Sequence, residues 1–165
     1  MTIYTRIALV LTLMVASLAH AEKPLAYTPP HETHTHDLSV GFLSHKVGSS
    51  LVSYARTLWS NENHELYAGA GTLVALNTAA LGWKSYLMRD VVDVYVVGAV
   101  LVMAGMSDNI FPAPFVSTGI EIGFWDNYFF NGGVNTIARV YYEGGEFYRK
   151  PELLVFGQAS LSYRW

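Results

Sequence analysis

Along most of this chain, charge falls only on every second residue. The last stretch, "LLVFGQASLSYRW" (153–165), shows the pattern plainly. Leu153, Val155, Gly157, Ala159, Leu161, Tyr163 and Trp165 occupy one parity, while Gln158, Ser160, Ser162 and Arg164 occupy the other. In Val92–Met103 the even positions are Val or Gly, and the odd positions carry Asp93 and Tyr95. In Val116–Trp125, Val116, Thr118, Ile120, Ile122 and Phe124 oppose Ser117, Gly119, Glu121 and Gly123. In Gly133–Glu143, Asn135, Arg139 and Glu143 oppose Val134, Thr136, Ala138, Val140 and Tyr142. Lys84 stands opposite Leu81, Trp83 and Leu87, and Arg56 opposite Leu51, Ala55 and Trp59. A period of two puts these sets on opposite faces of strands. Each segment therefore has one face without charge.

A single alternating strand also suits the edge of a soluble sheet, so composition has to decide. Apolar residues make up 52% of the chain and charged residues 14%, against about 25% charged in a typical soluble domain. Only helices and closed barrels satisfy their backbone groups in lipid. The uncharged runs Leu66–Trp83 and Val94–Met106 keep a helical inner-membrane protein open as an alternative. The one-sided placement of charge, together with the enrichment in Val, Ile, Tyr and Thr, favours strands.

The expected fold is an all-β, eight-stranded antiparallel transmembrane barrel. Its strands lie near 38–46, 50–60, 65–76, 81–89, 91–104, 115–125, 132–143 and 152–165, close to the roughly 9–11 residues a tilted strand needs to cross a bilayer. Asn61-Glu62-Asn63, Arg89-Asp90, Asp126-Asn127 and Glu143-Gly144-Gly145 supply turns. Arg6, the apolar run Ile7–Leu18 and the small residues of Ala19-His20-Ala21 read as a signal peptide over residues 1–21. Residues 22–37 then form a periplasmic tail and 38–165 the barrel, in the outer membrane of a Gram-negative-type envelope. An even strand count places both ends in the periplasm, and Tyr163 and Trp165 at the membrane boundary, where aromatic rings settle. Cysteine is absent, so disulfides play no part. Thirteen Asp+Glu against ten Lys+Arg argue against nucleic acid as a partner.

An eight-stranded barrel is just wide enough to be filled by side chains or to hold one small ligand. The inward set by parity is Arg56, Lys84, Asp93, Glu121, Arg139 and Arg164, with Glu121–Arg139 and Lys84–Asp93 expected to neutralise one another, because an unpaired buried charge is costly. Tyr54, Tyr67 and Tyr95 join Arg56 in packing a lumen too full for a diffusion pore. Gly69, Gly71, Gly82, Gly119 and Gly123 share the inward parity, facing Val97, Ala99, Leu101 and Met103. Two readings follow equally from them: an apolar slot that takes an acyl chain, or relief of crowding in a tightly curved wall.

"HELYAGAG" (64–71), "ALGWKSYL" (80–87), "SDNIFPAPF" (107–115) and the aromatic terminus together resemble the lipid A palmitoyltransferases of the outer membrane. The resemblance implies an acyl-chain pocket inside the barrel, formed here by Gly69, Gly71, Val97, Ala99, Leu101 and Met103. It implies a lateral gap at Pro112 and Pro114, in a loop before the sixth strand, and phospholipid and lipid A as partners. The adjacent Asp-Ser pair that the family carries in its second external loop has no counterpart in "TLVALNTAAL" (72–81), and "EKPLAYTPPHETHTH" (22–36) shows no helical stripe. His45, Ser107 and Asp108 are the substitute catalytic set, expected to meet at the outer rim.

The alternative is a catalytically silent outer-membrane barrel with a structural or ligand-binding role. His31, His34 and His36 read as a solvated tail rather than a metal site. No cofactor and no metal are expected, and the barrel is expected to be a monomer.

Overall fold

The computed structural model describes residues 34–74, 76–104, 110–139, 142–143, 146–147 and 152–165. Eight strands close into one antiparallel barrel. They are β1 (His36–Phe42), β2 (Val52–Ser60), β3 (His64–Leu73), β4 (Leu76–Met88), β5 (Asp93–Ala104), β6 (Ile110–Trp125), β7 (Tyr128–Arg139) and β10 (Glu152–Arg164). Between the last two, β8 (Tyr142–Glu143) and β9 (Glu146–Phe147) form a separate two-residue pair. β1 closes on β10 from Asp37↔Arg164 to Phe42↔Ala159. At that closure His36 N and Trp165 N each donate to the other's carbonyl, which pairs the backbone groups at this end of the seam. The turns 61–63, 89–92 and 126–127 lie at the same end as Trp165, called the turn end below; the opposite end is the loop end.

The uncharged run Leu66–Trp83 is not a helix but the β3–β4 hairpin, and the run from Val94 lies in β5. Among the described residues no helix is long and apolar enough to cross a membrane. The helical alternative is thereby overturned.

Side-chain faces follow the expected parity in β4, β5, β6, β7 and β10. Lys84, Asp93, Tyr95, Val97, Ser117, Glu121, Asn135, Gln158, Ser160, Ser162 and Arg164 are buried, whereas Leu81, Trp83, Val100, Val116, Val134 and Leu161 are exposed. β2 is the exception. Ser53 and Ala55 point inward, and Tyr54 and Arg56 lie on the outer wall, the reverse of the expected packing. A bulge between Thr57 and Trp59 is the cause. One extra residue flips the parity beyond it, so Leu58 and Trp59 are both exposed. Read without the bulge, Trp59 assigns the wrong face to the whole strand.

Two further bulges, Tyr86/Met88 and Gly123/Trp125, sit in β4 and β6, which like β2 run toward the turn end. Each presents two consecutive large apolar residues outward, Leu87 with Met88 and Phe124 with Trp125.

Several boundaries move. β1 starts at His36, inside the segment expected to be tail, and stops at Phe42 rather than 46. β4 starts at Leu76, with Val74 in the hairpin turn before it. β6 starts at Ile110, so Pro112 and Pro114 belong to a strand and not to a loop. The β5–β6 ladder passes both prolines, Pro112↔Val102 and Pro114↔Val100, and continues to Ile110. The β6–β7 ladder instead ends at Phe115↔Ile137, next to Pro114. A residue with no N–H is tolerated where its donor side has no ladder to complete.

Candidate functional site

The lumen holds the feature that periodicity does not reveal. After Phe42 the chain does not cross an open loop to β2; Leu43–Ser50 folds into the barrel, with His45, Lys46 and Val47 almost wholly buried. Leu43 (φ 65°) and Gly48 (φ 70°) take left-handed backbone conformations that turn the segment back. Glycine is required at 48 for a second reason: a Cβ there would come within 2.8 Å of Leu101 Cδ1. Ser44 and Gly48 exchange N–H···O bonds of 2.9 Å. Tyr67 Oη donates to the Lys46 carbonyl at 2.8 Å, and Asn135 Nδ2 donates to the Ser44 carbonyl at 3.2 Å. The plug's backbone is thus paired by the wall around it.

Inward glycines make room for the plug. A Cβ on Gly69 would meet Val47 Cγ2 at 2.9 Å, and one on Gly71 would meet Ser50 Cβ at 2.6 Å. Gly82 lies under the Tyr67 ring, 2.6 Å from Cζ for a built Cβ. Val97, Leu101 and Met103, expected to line an acyl slot, pack instead with Val47, Phe115, Ala113 and Ile137 in one apolar cluster, with Ala99 against it. Burying Val47 contributes about 2 kcal/mol. In this conformation the space left by the glycines is occupied by the chain itself.

Toward the turn end the lumen is charged. Lys46 lies 2.5 Å from Glu65 and 3.3 Å from Asp37. Arg164 Nε reaches Asp37 at 3.0 Å, and its two terminal nitrogens reach Glu121 at 2.8 and 2.5 Å. Lys84 completes the series, 2.8 Å from Glu121. The charges alternate in sign along Glu65–Lys46–Asp37–Arg164–Glu121–Lys84 and join β3, the plug, β1, β10, β6 and β4. Burying ions costs several kcal/mol each unless partners and extra hydrogen bonds offset it. Each internal member here has two opposite charges, and Thr57 and Ser39 add hydroxyl donors to Glu65 and Asp37. Lys84 also lies 4.5 Å from the Tyr86 and Tyr95 ring centres.

Mutual neutralisation was the expected role of the interior charges. Glu121 is held by Arg164 and Lys84; the Arg139 side chain lies outside the described residues. Lys84 is held by Glu121 at 2.8 Å.

His45, expected at the rim, is wholly buried. Its Nε2 lies 3.4 Å from Lys84 Nζ, its ring centre 5.1 Å from that of Tyr95, and its Nδ1 has no hydrogen-bond partner. An ammonium at Nε2 favours the neutral imidazole, with that nitrogen accepting. A base serving a reaction at the rim would have to reach it; His45 in this conformation does not. Ser107 and Asp108 lie outside the described residues, as does His31. Pro112 and Pro114 are exposed on the outer wall of β6.

That outer wall is apolar and belted with rings at the turn end. His36 stacks on Trp165 (5.3 Å, 15°), Trp165 on Tyr163, and Tyr163 meets Tyr128, which touches Trp125 and Phe124. Trp59, Trp83 and His64 extend the belt over β2, β4 and β3. Higher on the wall, Gly98 leaves a shallow depression of about 360 Å³ beside Leu66, Leu81, Trp83 and Val100. Compared with protein-family models, curated proteins and solved structures, the chain finds no match in any of the three.

Proposed function

We propose that this chain is an exported outer-membrane barrel whose lumen is closed by its own first loop, and that it serves as a lipid-contacting structural protein rather than a pore. One observation carries the reading: polarity is inverted relative to a soluble barrel. The paired charges lie inside, and the outer wall presents Val, Leu, Phe and Trp side chains, as hydrocarbon requires. The aromatic belt at the turn end corresponds to a membrane boundary, which puts Thr35 and Trp165 on the periplasmic side and the loop end of the barrel outside. Fractionation and gel mobility test this. The protein is expected in the outer-membrane fraction, resistant to alkaline extraction, and to migrate faster unheated than boiled. Recovery in the soluble periplasm overturns the reading.

A second reading keeps the resemblance to lipid A palmitoyltransferases, with phospholipid as acyl donor and lipid A as acceptor. It is favoured by the end of the β6–β7 ladder beside Pro114, which breaks the wall at the loop end. It requires the plug to withdraw, freeing both His45 and the space at Gly69 and Gly71. Mass spectrometry of lipid A with and without the protein decides it. An added acyl chain, lost in His45→Ala, supports transfer; unchanged lipid A leaves the structural reading.

A further inference from the structure

Among the described side chains of the eight strands, Arg56 is the one Asp, Glu, Lys or Arg on the outer wall. Among the described residues its surroundings carry no countercharge. Along β2 it lies between exposed Tyr54 and Leu58; across the sheet it pairs with His36 on β1 and Ala68 on β3. The interior cations Lys46, Lys84 and Arg164 all touch carboxylates. Arg56 has no ion pair or hydrogen bond among the described residues.

Beside it the wall is held by side-chain and backbone contacts. His36 Nδ1 and Tyr54 Oη are 2.6 Å apart, and the His36 ring is stacked on Trp165. Thr57 N donates to the Thr35 carbonyl, tying the chain entering β1 to the residue after Arg56. Ala68 offers only a methyl group on the other side, leaving the guanidinium room along the wall. The bulge after Thr57 fixes Arg56 outward, since it sets the parity of β2.

A guanidinium on a hydrocarbon-facing wall needs an anion or water, and its planar fork suits two phosphate oxygens at once. Aromatic rings around it mark the depth at which headgroups lie. We infer that Arg56, with His36 and Tyr54 beside it, is a binding site for the phosphodiester of a membrane phospholipid in the leaflet at the turn end. The inference rests on the membrane reading above and adds a ligand site that the barrel's interior does not use. The lipid's phosphate accepts from the guanidinium while its chains run toward the loop end along Leu38, Val40 and Val52.

The test uses the exported chain, folded in detergent micelles containing equal amounts of phosphatidylglycerol and a galactosyl diacylglycerol that lacks phosphate. Native mass spectrometry reads the ratio of the two adducts. Wild type is expected to prefer the phospholipid by about fivefold, the scale of one Lys or Arg at an anionic surface. Arg56→Gln is expected to lose that preference, and Arg56→Lys, which keeps charge but not the fork, to retain part of it. Absence of preference in wild type overturns the inference without any variant. Equal preference in wild type and a folded Arg56→Gln overturns it too. Insertion into vesicles is scored separately. A chain that inserts but shows no preference sinks the site alone, and one that does not insert sinks the membrane reading and the site with it.

Discussion

Lys46, carried into the lumen by the segment between β1 and β2, places its ammonium 2.5 Å from the Glu65 carboxylate of β3. This pair fastens the plug to the wall. Lys46→Met is expected to strand Glu65 and leave Asp37 with Arg164 alone, lowering stability by about 3 kcal/mol, the scale of breaking a buried pair from one side. Pairing it with Glu65→Gln is expected to recover part of the loss, because the stranded charge is gone. Urea unfolding in vesicles, followed by gel mobility, measures both; a Lys46→Met variant as stable as wild type contradicts the role.

The plug can be located chemically, because the chain has no cysteine to interfere. Val47 is fully buried, whereas Val74, at the β3–β4 hairpin, is 90% exposed. Val47→Cys is expected to resist a water-soluble maleimide that labels Val74→Cys to completion, and to label fully once the barrel is unfolded. Equal labelling rates in the folded protein would place residues 43–50 outside the lumen.

How much of this was legible beforehand depends on which rule each element obeys. β4, β5, β6, β7 and β10 obey strict alternation over the residues that matter, so their faces are readable from charge alone. β2 does not, because its bulge lies between Arg56 and Trp59, and the large ring outweighs the correct signal from Ser53 and Ala55. The plug was hidden for a different reason. "SHKVGSS" (44–50) has the polarity of a solvated loop, and its burial depends on carboxylates distant in sequence. A charge count could have exposed it: Asp37, Glu65, Asp93 and Glu121 face inward in the strands against Lys84 and Arg164, so another cation had to come from elsewhere. Gly69 and Gly71 gave the matching signal in volume. Both were legible as space, but not as space for the chain's own Val47 and Ser50.

The bulge in β2 makes an unusual claim about a deletion. Thr57 pairs with Tyr67 and Trp59 with Leu66, so Leu58 is the residue in excess. Removing Leu58 leaves every other pair in place and Arg56 outward. Removing Ala55 instead swings Arg56 into the lumen and Tyr54's neighbours out of register. The Leu58 deletion is expected to fold and show wild-type gel mobility, within about 2 kcal/mol of wild-type stability given the loss of one exposed apolar side chain. The Ala55 deletion is expected not to fold. If both fold equally well, the assigned register of β2 is wrong.

Conductance tests the closed lumen, and its ionic selectivity tests the charge chain. Planar bilayers containing the wild-type protein are expected to lack steps of open-porin size, since the plug, Tyr67, Tyr95 and Phe115 occupy the bore. The connection can be shortened. Gly41 N already bonds to the Leu51 carbonyl, so Asn-Gly in place of residues 42–50 would close Gly41 onto Leu51 as a two-residue hairpin. That variant loses Lys46 and Val47 together, leaving Asp37, Glu65, Asp93 and Glu121 facing Lys84 and Arg164 in a widened lumen. It is expected to show small steps with a reversal potential favouring cations in a salt gradient. Porin-sized steps in wild type would mean that the plug does not fill the bore. Anion preference in the shortened variant would mean that the carboxylates do not line it.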